Sequence, residues 1–477
     1  EGDGETYFVP LSAMPLDGQQ TLSPTSIALL HCGDGDLVLH EPLHEPRFAR
    51  ALLDLIPGRK RLPGASGSLV ALRGSGMHSL RGDVLEPALL HADQSNTSLV
   101  FGDQLVLKLF RRVEEGENPD VEISRALTER TSLANVAALR GALEYRPATG
   151  GPATLALLQQ YVPNEGDAWR FTLDSIDRFF EDALALGGEP ALPAGSLVEI
   201  SKLEPPELAH ETIGGYLDSA RTLGQRTAEL HAALHSIDEP AFAPEPLTLM
   251  ARRALYQSMR TMTRQVFTTL RRRGDTVGGL PLLEHEAEVL ERFKPLLDPA
   301  LVDVRMRVHG DFHLGQALWT GKDFVIIDFE GEPARTVSER RIKRSPLRDV
   351  AGMLRSFHYA AYAGLLVELG GPTGSARAST GSSSRRESNV DDIAEAPGHE
   401  RWARFWYIWS ATSFLRAYLE TARAAGFLPG TDHDVSVLLD AHMVEKAAYE
   451  LRYEANNRPD WVQIPARGIL QLLEGTP

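Results

Sequence analysis

The sequence predicts an α+β protein in two lobes, with a small module ahead of them. Three observations carry this. Up to about residue 164, short apolar runs alternate with Gly- and Pro-marked turns, the punctuation of strands. From 165 onward apolar residues recur at helical spacing, as at Leu223, Thr227, Leu230 and Leu234, a face that leaves out His231 and Glu229. A single strand pair, Ala317–Trp319 and Phe324–Asp328, interrupts the helices around the turn Thr320-Gly321-Lys322-Asp323.

Residues 1–88 read as the leading module, mainly β. Ser26–Leu30 and Ser68–Leu72 are strand-like, Gly33-Asp34-Gly35-Asp36 and Pro63-Gly64 are turns, and one helix is expected near Arg47–Leu55. Residues 89–164 form the first lobe. Ser98–Phe101 and Gln104–Phe110 are apolar runs joined by Gly102-Asp103, a hairpin signal. A helix follows, with Asn118 as its cap, Pro119 at its first position and the acids Asp120 and Glu122 in the first turn. Residues 165–477 form the mainly helical second lobe, in which Trp402, Trp406 and Trp409 read as core. Residues 371–397, rich in Gly, Ser, Thr and Arg, read as a flexible surface loop.

Composition narrows the function. The chain has 477 residues and a net charge of −16, from 65 acidic against 49 basic side chains. That balance argues against a nucleic-acid partner. No run of about 18 apolar residues suggests a membrane span. The single cysteine, Cys32, makes no internal disulfide, so the cytoplasm is the expected compartment. The chain begins at Glu1 without a basic, then apolar, leader, and its start reads as a cut inside a larger polypeptide.

The chemistry concentrates in Val308-His309-Gly310-Asp311-Phe312-His313-Leu314-Gly315-Gln316, followed by Ile326-Ile327-Asp328. Phosphoryl transfer needs a carboxylate that orients the attacking hydroxyl and accepts its proton. It also needs hard oxygen ligands for a divalent cation on the phosphates. Asp311 is the candidate base. Gln316, five residues on, and Asp328 are the candidate ligands of Mg²⁺ or Mn²⁺, and the spacing matches that of a kinase catalytic loop. Upstream, Lys108 closes the run Leu105-Val106-Leu107, as a strand lysine reaching ATP phosphates would, and Glu122 on the capped helix is its expected partner. No Gly-x-Gly-x-x-Gly loop precedes Lys108; Ser95, Asn96, Thr97 and Ser98 take its place as phosphate-holding candidates. Leu157–Pro163 is a candidate hinge, where Gln160 and Val162 would offer backbone groups to adenine.

These segments, with Ile327-Asp328-Phe329-Glu330-Gly331-Glu332-Pro333 and Ser345-Pro346-Leu347-Arg348-Asp349-Val350-Ala351-Gly352-Met353-Leu354-Arg355-Ser356, resemble the maltokinase family. The resemblance implies a two-lobed protein-kinase-like, aminoglycoside-phosphotransferase-like fold behind an amino-terminal cap domain. It implies transfer of the ATP γ-phosphate to the anomeric hydroxyl of maltose, giving maltose 1-phosphate for α-glucan synthesis. A covalently fused or associated trehalose synthase is a further expectation.

By the same resemblance, Asp349 braces the catalytic loop from behind, on a helix capped by Ser345 with Pro346 first. The acceptor is expected at Lys446, Tyr449, Tyr453 and Glu454 of the carboxyl-terminal run, the first three sharing a helical face, with His313 beside the base. Arg335, Arg340, Arg341, Lys343 and Arg344 read either as a solvated basic loop or as a neutraliser of phosphorylated product. Two rival readings stand beside this one. The first is a related kinase acting on another sugar, an aminoglycoside or choline. The second is a pseudokinase domain regulating a fused trehalose synthase.

Overall fold

A computed structural model describes residues 4–16, 25–33, 35–77, 85–90, 96–273, 280–369, 393 and 396–475. Ser95 and nearly all of 371–397 lie outside the described residues. In chain order the first elements are β1 (Thr6–Tyr7), β2 (Ser12–Pro15), β3 (Ser26–Cys32), β4 (Gly35–His40), α1 (Pro46–Leu53), β5 (Arg61–Pro63), β6 (Gly67–Arg73), β7 (Pro87–Leu90), β8 (Asn96–Phe101), β9 (Leu105–Phe110), β10 (Arg112–Val113), α2 (Pro119–Arg130), β11 (Leu139–Pro147) and β12 (Ala153–Gln160). Then come α3 (Ala168–Leu186), α4 (Leu197–Ile200), α5 (Glu207–Thr212), α6 (Tyr216–His235), β13 (Glu245–Pro246), α7 (Leu249–Arg273), α8 (Glu286–Glu291), β14 (Val304–Arg305), β15 (Ala317–Trp319) and β16 (Phe324–Ile326). The last are α9 (Val337–Arg340), α10 (Leu347–Glu368), α11 (Pro397–Ala425), α12 (Asp432–Asn457) and α13 (Gln463–Glu474).

The chain divides into two units: residues 1–163 with 329–341, and residues 164–328 with 342–477. Asp328 therefore closes one stretch of the second unit, and Phe329 opens a short return to the first.

The first unit is built on a seven-stranded sheet of order β5-β6-β11-β12-β9-β8-β7. Its strands come from both sides of residue 88, because β6 pairs antiparallel with β11 along Gly141↔Arg73 to Pro147↔Gly67. The apolar side chains of α1 and its following turn, Leu52, Leu53 and Ile56, share one core with Leu107, Leu109, Leu143 and Leu158 of the sheet. A smaller sheet, β2-β4-β3, precedes it. In β9, alternation sends Leu105, Leu107 and Leu109 to one face and Lys108 and Phe110 to the other. Asn118 caps α2 by accepting from Asp120 N at 2.9 Å.

The second unit is helical, and α10 is its axis. Asp349 to His358 on that helix are all buried, so it is covered on every side. The helix starts at Leu347, one residue later than expected, with Pro346 and not Ser345 at the cap position, and the Leu347 N–H donates to Ser345 Oγ at 3.3 Å. Trp402, Trp406 and Trp409 of α11 are buried as expected. Gly224 lets α6 and α11 approach closely, since a Cβ there would lie 2.1 Å from the Phe414 carbonyl oxygen. Asp323, in the β15–β16 turn, accepts two bonds of 2.9 Å from Arg226 of α6, which fixes the hairpin.

Candidate active site

In the second unit, α10 holds the candidate catalytic loop, residues 309–316, through one face. Asp349, Gly352 and Ser356 are three and four residues apart, so they line up along the helix. The Asp349 carboxylate accepts from His309 N at 2.7 Å and Gly310 N at 2.9 Å. Its Oδ2 also meets His231 Nε2 at 3.1 Å, and both side chains are buried. Burial pushes the Asp349 carboxyl up, but His231 and the loop amide outweigh it and hold the group below its ordinary range. Ser356 Oγ accepts from Leu314 N at 3.1 Å. At Gly352 a Cβ would sit 2.5 Å from the Phe312 carbonyl oxygen, so the loop lies directly on the helix. His231 was expected off the apolar face of α6, yet it is fully buried. Its spacing of four from Thr227 was the signal that placed it there.

The loop presents Asp311 to Lys446 of α12, whose Nζ donates to Asp311 Oδ1 at 3.1 Å. Burial works to raise the Asp311 carboxyl. Lys446 and His313 outweigh that and bring it down to about 2, so it stays an ionised acceptor at neutral pH. Gly315 N donates to His313 Nδ1 at 3.1 Å, which puts the ring proton on Nε2. Burial lowers the His313 pKa, which favours the neutral ring.

Gln316 and Asp328 are brought together by the hairpin. Its register, Ala317↔Ile326, continues into the bond from Ile327 N to the Gln316 carbonyl at 3.0 Å. His309 Nε2 lies 2.9 Å from the Ile327 carbonyl and steadies the same end. Asp328 adopts the left-handed backbone (φ 65), rare for a residue with a side chain. An amide oxygen and a carboxylate suit a small hard cation such as Mg²⁺.

In the first unit Lys108 lies on an interior strand, paired with Ser98 on one side and Leu157 on the other. Its Nζ is 3.2 Å from Asp120 and 3.3 Å from Glu330. Asp120, fully buried, also accepts from Phe329 N at 3.0 Å. The expected carboxylate, Glu122, takes a two-pronged bond from Arg341 at 2.7 and 3.1 Å. Two residues on a helix differ by about 200° in direction, so Asp120 and Glu122 serve opposite sides. The run expected to replace the glycine loop begins β8 instead. Asn96 Nδ2 donates to Glu330 at 3.1 Å, and Thr97 Oγ1 accepts from Arg111 at 2.8 Å. Its alternating Thr97, Leu99 and Phe101 pair with β9, which explains the strand. At the hinge candidate, Gln160 ends β12 and accepts from Arg140 at 2.5 Å; Val162 follows, next to the unit's end at Pro163.

The basic cluster is internally paired. Arg340 reaches Glu330 and Glu114, Arg335 pairs with Glu332, and Lys343 is bound by Glu245 and two carbonyls.

A second face of α10 meets α12 in a ladder: Arg348 with Glu445, Arg355 with Glu450, and Tyr359 with Glu454. Glu454 is buried and also binds Arg458. Trp461 stacks on Tyr359 with ring centres 5.7 Å apart. Lys446 lies over the Tyr449 ring at 5.2 Å, and Tyr453 is half exposed, beneath Arg458. Tyr359 was not singled out from sequence, because its role depends on α12 lying alongside.

Residues 200–331 match the phosphotransferase enzyme family. Across the wider chain, a glucosamine kinase of Mycolicibacterium smegmatis is 26% identical over 387 residues, covering 80% of this chain and 79% of that protein. A glucosamine kinase of Streptacidiphilus jiangxiensis is 25% identical over 404 residues, 80% of this chain and 72% of that one. A solved glucosamine kinase in complex with glucosamine, ADP and inorganic phosphate superposes with a TM-score of 0.61 at 21% identity, covering 98% and 94% of the two chains. The family match is confined to residues 200–331, and the chain shares the kinase-like fold of the solved glucosamine kinases on which it superposes. These two curated relatives are named for glucosamine, where the sequence motifs pointed to maltose. Among the described residues, no helix is long and apolar enough to cross a membrane.

Proposed function

We propose that this chain is an ATP-dependent kinase of a small sugar. The observation that carries the reading is Asp311: a carboxylate kept ionised by Lys446, on a loop whose backbone is pinned by Asp349. In the proposed reaction the acceptor hydroxyl attacks the γ-phosphorus, the new O–P bond forms, the β–γ bridge breaks and ADP leaves. Asp311 orients the hydroxyl and takes its proton. Lys108, held by Asp120 and Glu330, offers its charge to phosphate oxygens. Gln316 and Asp328 would hold a divalent cation, which neutralises charge on the transferring phosphoryl group. All the residue types this chemistry needs are present, which speaks against a pseudokinase.

Glucosamine is the first acceptor to consider, supported by relatives that span four-fifths of the chain. A specific observation favours maltose as the second. The carboxylates Glu445, Glu450 and Glu454 of α12 are each matched by an arginine, which leaves Lys446 facing the base and suits a neutral acceptor. A trehalose synthase partner belongs to the maltose reading alone.

A coupled assay of ADP release with glucosamine, maltose, glucose, trehalose, choline and an aminoglycoside tests both. Turnover with glucosamine and not maltose supports the first acceptor, and the reverse supports the second. Turnover with choline or the aminoglycoside alone overturns the sugar assignment, and no turnover with any acceptor overturns the kinase.

A further inference from the structure

Away from the catalytic loop, the second unit contains a cavity of about 590 Å³ between α4, the stretch around α8, α12 and the end of α13. That volume is in the range of small-molecule sites. Its inner wall is apolar: Leu197, Val198, Leu439 and Met443 are buried and Leu472 is half-buried. Glu288 and Glu291 stand at its exposed edge. Between wall and edge stands Asp440, its side chain 31% exposed. Its one charged partner among the described residues is Arg292, at 3.8 Å, too far for a hydrogen bond.

Arg292 is otherwise engaged, since its Nη2 donates to the carbonyls of Leu472 and Leu473 at 2.7 Å each. It thereby satisfies the carboxyl end of α13 rather than the carboxylate. Burial pushes Asp440 up to about 6 while Arg292 pulls it back, the behaviour of a carboxylate short of partners.

We propose that this cavity is a binding site for a small amphiphilic amine, its apolar body against the leucine and methionine wall and its ammonium on Asp440. The ligand class follows from the wall chemistry. A sugar could reach Ser196 and Ser436 on one side, but would leave its other hydroxyls against leucine and methionine side chains. An anion would meet Asp440, Glu288 and Glu291, while the guanidinium that might welcome it is bound to carbonyls. An ammonium supplies the close hydrogen bonds from a charged partner that Asp440 lacks, and such charge-assisted bonds are stronger than neutral ones.

The probes are 4-phenylbutylamine, 4-phenylbutanol and 4-phenylbutyrate, titrated calorimetrically into the full chain at pH 8, where Asp440 is ionised. The amine is expected to bind saturably at one site, at least ten-fold more tightly than the alcohol, with no binding by the carboxylate. Asp440→Asn should bring the amine down to the level of the alcohol. Val437→Trp, which fills the cavity from α12, should abolish both, while ADP release with the sugar acceptor in the absence of probe stays unchanged. Failure of the amine to bind, equal binding of amine and carboxylate, or amine binding that survives both substitutions overturns the proposal.

Discussion

Asp311, the proposed proton acceptor, illustrates how a carboxylate depends on its immediate neighbours. Asp311→Asn keeps the size and the hydrogen-bonding capacity but cannot take a proton. It should lose about 10²- to 10⁴-fold in kcat while still binding ATP and sugar, as read by steady-state kinetics and calorimetry. Lys446→Met tests the charge balance. In the wild type Asp311 lies near 2, so its protonation sets no limb of the pH profile in the working range. Without the ammonium, burial acts with less opposition and the carboxyl rises. Activity should then fall as pH drops through about 4 to 6, above the wild-type limb. An unchanged pH profile would remove Lys446 from this role. At Lys108, substitution by Ala should raise the apparent KM for ATP and lower kcat, with the acceptor's KM little changed. It also leaves Asp120 and Glu330 facing each other without their shared cation. Wild-type ATP kinetics would reduce Lys108 to a strand-packing residue.

At the level of elements, α10 does two jobs with two faces. One carries Asp349, Gly352 and Ser356 against the proposed catalytic loop, and the other carries Arg348, Arg355 and Tyr359 against α12. The site's positions therefore depend on helix register more than on any single bond. Asp349→Asn retains one acceptor oxygen but loses the charge that binds two amides and His231. Bonds to charged groups contribute about 1.5–3 kcal/mol each, so a stability loss of that order is expected in urea unfolding at pH 7. The sign with pH is defined. The folded carboxyl is held below its unfolded value of about 3.9, so its contribution is present above that pH. It fades as pH falls through the lowered folded value, and the gap between wild type and variant should close in acid.

The same helix shows what could be read without a structure. The spacing of Asp311, Gln316 and Asp328 lies within one contiguous segment, and so does the cap of α2; local chemistry writes both. The partners of Lys108 and Glu122 do not. Asp120 and Glu122 look alike as first-turn acids, and only the helix's placement in the fold assigns one to Lys108 and the other to Arg341. His231 was hidden differently, by reading a helical stripe too narrowly. The cavity around Asp440 was not visible at all, since its walls come from four separate stretches of chain.

For the whole molecule, the fold class followed from the change of periodicity near residue 165, whereas the return of residues 329–341 to the first unit carried no such signal. Turnover as a whole should require a divalent cation, and Asp328→Ala should abolish it; full activity in excess EDTA would remove Gln316 and Asp328 from metal binding. The return of residues 329–341 to the first unit has a consequence for the order of events during synthesis. When the ribosome has finished β12, the sheet is complete, but Glu122 still lacks Arg341, 219 residues downstream. At about 5–20 residues per second, the wait is on the order of 10–40 s. Throughout it the emerging first unit holds Asp120 without the Phe329 amide and Glu122 without its arginine. Its last electrostatic closure arrives only when the following 165 residues, the loop of Asp311 included, have already been made.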